Sequence, residues 1–230
     1  MISGRMVSLR IVLAGLALTA MSLSAHAQNV ATSSLPVDPL GKEWWQLYAG
    51  IPDAIKARLA ETPAACALGQ HGNLWLLNTA GDGSTPVTRR CKVPTNTQLF
   101  LPIITAFCVP FPGETIPDNI QLCRELIDPF NRLTLTIDGK NRYDLIERRA
   151  QSQAFPLWLP EDNLFDVPGE NTPAGIYTAV TEGQYARIKS LPAGRHVIHA
   201  KAVATKNPEI PAFEYTWILD VVKPTGIVPN

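Results

Sequence analysis

An excess of charge of either sign is what this chain most plainly lacks. Its 20 acidic and 20 basic residues cancel, so no net field gathers nucleic acid or holds the chain to an anionic membrane. After residue 27 no apolar run approaches the roughly 20 residues a spanning helix needs, so no transmembrane anchor is expected after processing. The G-x-S-x-G elbow of a serine hydrolase is absent. Gly81-x-Gly83 has no lysine after it and no helix expected to follow, so it is no phosphate loop. The cysteines lack C-x₂-C spacing, which argues against zinc. No cofactor or metal is expected, and no internal repeat or interdomain linker is visible.

What is present begins with an export signal. Arg5 and Arg10 precede an apolar stretch from Ile11 to Leu23, and Ser24-Ala25-His26-Ala27 closes it with the small residues that signal peptidase accepts. The stretch is about 13 residues, too short to span a bilayer. Arg5 and Arg10 are not adjacent, as a twin-arginine signal would require, and no cysteine follows for lipid attachment. The expected organisation is a signal peptide at 1–27, a flexible leader at 28–37, one domain at 38–222 and a tail at 223–230. The expected compartment is periplasmic or extracellular. There, Cys66, Cys91, Cys108 and Cys123 should form two disulfides. Three pairings are open. Cys66–Cys91 with Cys108–Cys123 is preferred, because partners nearest in sequence close short loops.

The 20 prolines, together with short runs of Val, Ile, Thr and Leu, favour strands and turns over a helical bundle. One helix stands out. Asp38-Pro39 opens it, Gly50 and Pro52 stop it, and Trp44 and Tyr48 share a face. A second, brief helix is expected from Asp53 to Glu61. Strands are expected at 74–77, 87–93 and 98–104, followed by a proline-rich loop between Cys108 and Cys123. Leu133, Leu135 and Ile137 alternate with polar residues before an Asp138-Gly139 hairpin, with Tyr143–Ile146 running back. Glu182-Gly183-Gln184 reads as a turn between two further strands. His196–Val203 follows, and Phe213, Tyr215, Trp217, Leu219 and Val221 form an inward row. This pattern predicts a mostly β fold, an antiparallel β-sandwich of jelly-roll-like type with one N-terminal α-helix.

Several short motifs resemble a family of exported prokaryotic proteins. They are Trp44-Trp45 with Ile51-Pro52, Cys66…Gly69-Gln70…Trp75, Arg90-Cys91-x-Val93-Pro94, Leu99-Phe100-x-Pro102-Ile103 and Leu191-Pro192-x-Gly194-x-His196. The resemblance spans most of the chain beyond the leader. It implies an exported single domain and supplies no catalytic residue.

Residues able to carry chemistry are few. His71, in a turn before a strand, is a weak general-base candidate. His196 and His199 are three apart in a strand, so their rings should point to opposite faces and cannot share one metal. Glu161, Asp162, Asp166 and Glu170 offer carboxylates for glycoside hydrolysis or calcium, yet without EF-hand spacing. Asp162 and Asp166 therefore join His71 and His196 as catalytic candidates. Trp45 and Trp158 are the aromatics expected to be available for ligand stacking. The leading expectation is a non-catalytic exported binding or interaction module, with a glycan or an envelope protein as partner. The alternatives are a hydrolase or lyase acting on an extracellular polymer, and a subunit of a surface assembly.

Overall fold

The computed structural model describes residues 39–55, 62, 66–77, 86–110, 113–163 and 173–223. The expected signal peptide and leader, the Asp38 cap, the turn at 80–84, Asp166 and the tail from 224 lie outside those residues. So does the second short helix after its opening turn at 53–55.

Two sheets form the body. The first places β1 (Leu74–Leu76), β3 (Gln98–Cys108), β8 (Gly175–Ile188) and β6 (Ala150–Gln151) side by side, with β7 (Phe155–Leu159) also paired to β8. The second runs β2 (Val87–Pro94), β10 (Phe213–Val222), β9 (Gly194–Val203), β4 (Arg132–Ile137) and β5 (Lys140–Asn141). Neighbours are antiparallel except β1 with β3 and β2 with β10. Those parallel pairs arise because the chain changes sheets between their members, so no tight hairpin joins them. The expected mostly β sandwich with an N-terminal helix is the fold.

Period-2 alternation sends β3 into two cores. Leu99, Leu101 and Ile103 face the second sheet, where Leu135, Ile198, Ala200, Trp217 and Leu219 meet them. Phe100 points the other way, toward α1 (Pro39–Gly50), and joins Trp44, Trp45, Tyr48, Leu157 and Tyr185. Trp44 and Tyr48, one helical turn apart, stack with centroids 4.9 Å apart. Both indoles are satisfied: Trp44 Nε1 donates to Leu77 O at 2.8 Å and Trp45 Nε1 to Thr105 Oγ1 at 3.0 Å. Gly41 permits this close docking, since a Cβ there would stand 2.6 Å from the Tyr185 hydroxyl.

The disulfides pair as preferred, Cys66–Cys91 and Cys108–Cys123. Closing loops with separations of 25 and 15 residues contributes about 3 kcal/mol each by the chain-entropy estimate.

Three local expectations are corrected. The segment expected as a loop up to Cys123 contains a helix, α2 (Ile116–Ile127). Thr115 and Asp118 form a reciprocal capping box, and Pro117 occupies the first turn, where its missing N–H costs nothing. The expected turn at 182–184 is absent, because β8 runs unbroken from Gly175 to Ile188. Gly183 sits where Ile104 O would be 2.7 Å from a Cβ, so glycine here serves strand packing and not chain reversal. Finally, the strand returning after Asp138-Gly139 is only Lys140–Asn141, and Tyr143–Leu145 forms a 3₁₀ turn.

Candidate functional site

The described candidate side chains, His71, Asp162 and His196, do not converge. His71 sits in an exposed turn beside β1, its Nδ1 3.3 Å from Gly69 O. Its neighbour Gln70 does the structural work there: the amide donates to Leu76 O at 3.0 Å and accepts from Leu76 N at 2.9 Å. Asp162, expected as a catalytic acid, is a cap. Its Oδ2 accepts from Ala54 N at 2.8 Å and its carbonyl accepts from Asp53 N at 2.9 Å. That carboxylate holds the opening turn of a helix.

His196 and His199 occupy opposite faces of β9, as strand alternation requires. His196 lies with its Nδ1 2.8 Å from Asp138 Oδ2 and its Nε2 3.0 Å from Pro192 O. Both ring nitrogens face acceptors inside the protein, so neither is left to move a substrate proton. The ring instead pins the turn after β4 to the turn before β9. Asp138 completes the clamp by accepting from Val197 N at 2.8 Å. His199 Nε2 meets Glu214 Oε1 at 2.9 Å, and Lys201 Nζ meets the other carboxylate oxygen at 2.6 Å. Each histidine thus has at most one acid beside it. Among the described residues no group of three His, Cys, Asp or Glu could hold a metal.

The clamp has a pH signature. Asp138 is held below its ordinary value of 3.8, first by the hydrogen bond from His196 and next by Val197 N–H. A lowered carboxyl pKa adds stability above the ordinary value, and that stability is lost as pH falls through the lowered one. Asp138→Asn should therefore lower the melting temperature at neutral pH and flatten its acid limb below pH 3.8. Thermal melts followed by circular dichroism across that range check this; an unchanged acid limb would refute the clamp.

The two aromatic candidates separate cleanly. Trp45 is 8% exposed and packed under α1, which corrects the expectation that it would be displayed. The sandwich face beneath α1 is wide enough to accept two adjacent indoles, set edge to face with centroids 5.0 Å apart. Trp158 is 53% exposed, and its cross-strand partner Ile176 is 76% exposed. Strand alternation produces this display. Phe155, Leu157 and Leu159 turn inward on β7, leaving Pro156 and Trp158 on the opposite face beside Thr178 and Ile176 of β8. That face carries no charged residue. Below it Gln46 donates to Pro156 O at 2.9 Å, fixing the ribbon to α1. Sequence reasoning missed Ile176: the segment before Glu182 reads as a strand, but not which of its side chains would remain uncovered.

A further unanticipated group is Glu182, wholly buried on β8 and ion-paired with Arg149. Arg149 also binds Asp128 at 2.6 Å and donates to Arg124 O at 2.9 Å, tying α2 to the sheet. Burial pushes the Glu182 carboxyl above its ordinary range, with Arg149 opposing the shift.

No family model matches the chain, and no curated protein matches it. Among solved structures, the solution structure of amebosin shows 9% identity, covers 58% of this chain and 89% of its own, and gives a TM-score of 0.21. PbICP-C, solved in complex with falcipain-2, shows 10% identity, covers 66% of this chain and 100% of its own, with a TM-score of 0.26. The cysteine protease inhibitor EhICP2 from Entamoeba histolytica shows 11% identity, covers 56% and 85%, and gives a TM-score of 0.19. Likenesses at these scores carry no argument about this chain.

Proposed function

We propose that this chain is an exported, soluble, non-catalytic binding module whose contact surface is the Trp158–Ile176 face of the β7–β8 ribbon. The observation that carries the reading is the exposure of Trp158. Trp44, Trp45, Trp75 and Trp217 are all between 0% and 8% exposed, whereas Trp158 is 53% exposed beside an exposed isoleucine. A displayed indole on an uncharged strand pair offers a flat apolar platform of the kind that stacks on a sugar ring. Export is supported by the leader pattern at 1–27, by the resemblance to exported prokaryotic proteins, and by two disulfides, which suit an oxidising compartment. No helix among the described residues is long and apolar enough to cross a membrane. Repeated crossing of the chain between the two sheets supports a jelly-roll-like reading of the sandwich. A hydrolase or lyase reading would need acids or a His–acid pair to converge in one groove. The half-exposed His199–Glu214 pair is instead engaged by Lys201, and the His196–Asp138 pair by Pro192 O and Val197 N–H.

A second reading, a subunit of a surface assembly, draws on the same patch, because among the described residues β7 pairs only with β8, and it carries no charge. One protein sample distinguishes the two. Acrylamide should quench only the Trp158 part of the fluorescence, and N-acetylglucosamine oligomers should protect it in a saturable way. Trp158→Ala should abolish both effects without changing the melting temperature by more than about 2 °C, as expected of an exposed position. Protection that grows with protein concentration alone, with a dimer in light scattering, supports the assembly reading. Quenching that neither the oligomers nor self-association alters overturns both.

A further inference from the structure

At the other end of β8 the sandwich opens into a cleft of about 690 Å³. Three segments meet there: the β2–β3 turn with Thr95 and Asn96, the β8–β9 connection with Ser190, Leu191 and Pro192, and Lys223 just past β10. It is a shallow depression, open to solvent on one side, whose volume suits a small molecule lying along its floor. Ile176 and this cleft are separated by most of a 14-residue strand, roughly 40 Å at about 3.3 Å per residue. The cleft is therefore a site separate from the Trp158 face.

The geometry points to this cleft as a binding site for a small carboxylate that carries an apolar arm. Lys223 is exposed, has no ion-pair partner among the described residues, and is the one ionisable side chain in the lining. No lining carboxylate competes for its ammonium group. Around it the Thr95 and Ser190 hydroxyls and the Asn96 amide make no side-chain hydrogen bond to another described residue, so their capacity is open to a ligand. Leu191 and Pro192 give the remaining wall an apolar surface for the arm.

The walls are also held in place before any ligand arrives, which lowers the ordering cost of binding. His196 grips Pro192 O, Thr95 N donates to Val222 O at 2.8 Å, and Asn96 adopts a left-handed φ of 63°. The His196 clamp is a substantial device for an otherwise plain turn. His196 fixes this wall from outside the cleft, which it does not line. One side of the cleft follows directly on β2, whose last residue Pro94 pairs with Val222 just before Lys223, and the other is Ser190–Ala193, far away in sequence.

The test is an amide ¹H–¹⁵N NMR titration of the disulfide-intact protein with N-acetylleucine, N-acetylleucine amide and acetate. N-acetylleucine should shift the Asn96, Ala193 and Lys223 resonances in a saturable way. The neutral amide, lacking the charge, and acetate, lacking the arm, should each bind at least tenfold more weakly. Lys223→Gln should weaken N-acetylleucine at least tenfold while leaving the remainder of the spectrum unchanged, and Trp158→Ala should leave it unaffected. Equal binding of acid and amide, no saturable shift, or full retention in Lys223→Gln would each overturn the assignment. Because Trp158 is not involved, these outcomes are independent of the proposal made for the ribbon face.

Discussion

Arg149→Met is expected to lower stability by about 3–5 kcal/mol, the usual cost of breaking a buried ion pair by removing one partner. Glu182 is 0% exposed, and its carboxylate relies on the Arg149 guanidinium for compensation. Among the described residues neither Glu182 oxygen has a hydrogen-bond partner beyond that ion pair. Removing Arg149 also frees Asp128 and the Arg124 carbonyl, so α2 loses its tie to the sheet beside Cys108–Cys123. Replacing both partners, Arg149→Met with Glu182→Leu, removes the stranded charge and should recover stability to within about 1 kcal/mol of the parent. Urea unfolding of the parent, the two single variants and the double variant closes the cycle. Strict additivity of the single changes would show that the pair is not coupled.

The same residue sets a direction for pH. Burial raises the Glu182 carboxyl above its ordinary value of 4.5, and Arg149 only partly offsets that. A raised carboxyl pKa means that the folded state favours the neutral form. Its contribution is most favourable below pH 4.5 and declines as pH rises through the shifted value. Asp138 and Glu214 behave oppositely: each is lowered, Glu214 first by Lys201 and then by His199, and each loses its contribution on acidification. Glu182 therefore shapes the upper limb of a stability profile and the two surface acids shape the lower one. Glu182→Gln should remove the upper decline and leave the acid limb in place.

How much of this was legible beforehand depends on where the controlling information sits. The 213–221 row was readable because alternation is a local property, and Trp217, Leu219 and Val221 are buried as that pattern requires. That the four cysteines would pair was expected from their even count in a chain read as exported. The choice among three pairings was only a preference for partners nearest in sequence, which Cys66–Cys91 and Cys108–Cys123 match. α2 was hidden by Pro110, Pro112, Gly113 and Pro117, although Thr115-x-x-Asp118 with Pro117 inside it was a start signal in plain view. Trp45 and Trp158 could not be sorted from sequence. Their exposure is decided by which sheet face lies opposite each, and that is a tertiary fact. For Glu182, the sequence Thr-Glu-Gly-Gln looked like a solvated turn because its compensating arginine lies 33 positions earlier, at Arg149. Pairing across that separation leaves no local trace.

Gly183 makes the same point as a measurement. A Cβ added there would lie 2.7 Å from Ile104 O and 2.8 Å from the Thr105 side chain. The first obstacle is backbone, within the stretch of β3 where the register shifts between Pro102 and Ile104. It cannot swing aside as the end of a long side chain could. Thr105 is equally fixed, since its hydroxyl accepts from Trp45 Nε1 at 3.0 Å, donates to Glu182 O at 3.1 Å and lies 2.8 Å from the Tyr185 hydroxyl. Gly183→Ala must therefore push β3 and β8 apart at their bulge and strain the seat of α1 together with it. The expected cost is about 3 kcal/mol, at the upper end of overpacking. The contrast is Gly139→Ala, where φ is positive at 75° but nothing lies within 4 Å of the added carbon. Strain alone there should cost about 1 kcal/mol. Urea midpoints of the two variants decide the matter. If Gly183→Ala proves the milder change, β8 does not pass so close to β3, and the turn expected at 182–184 would return.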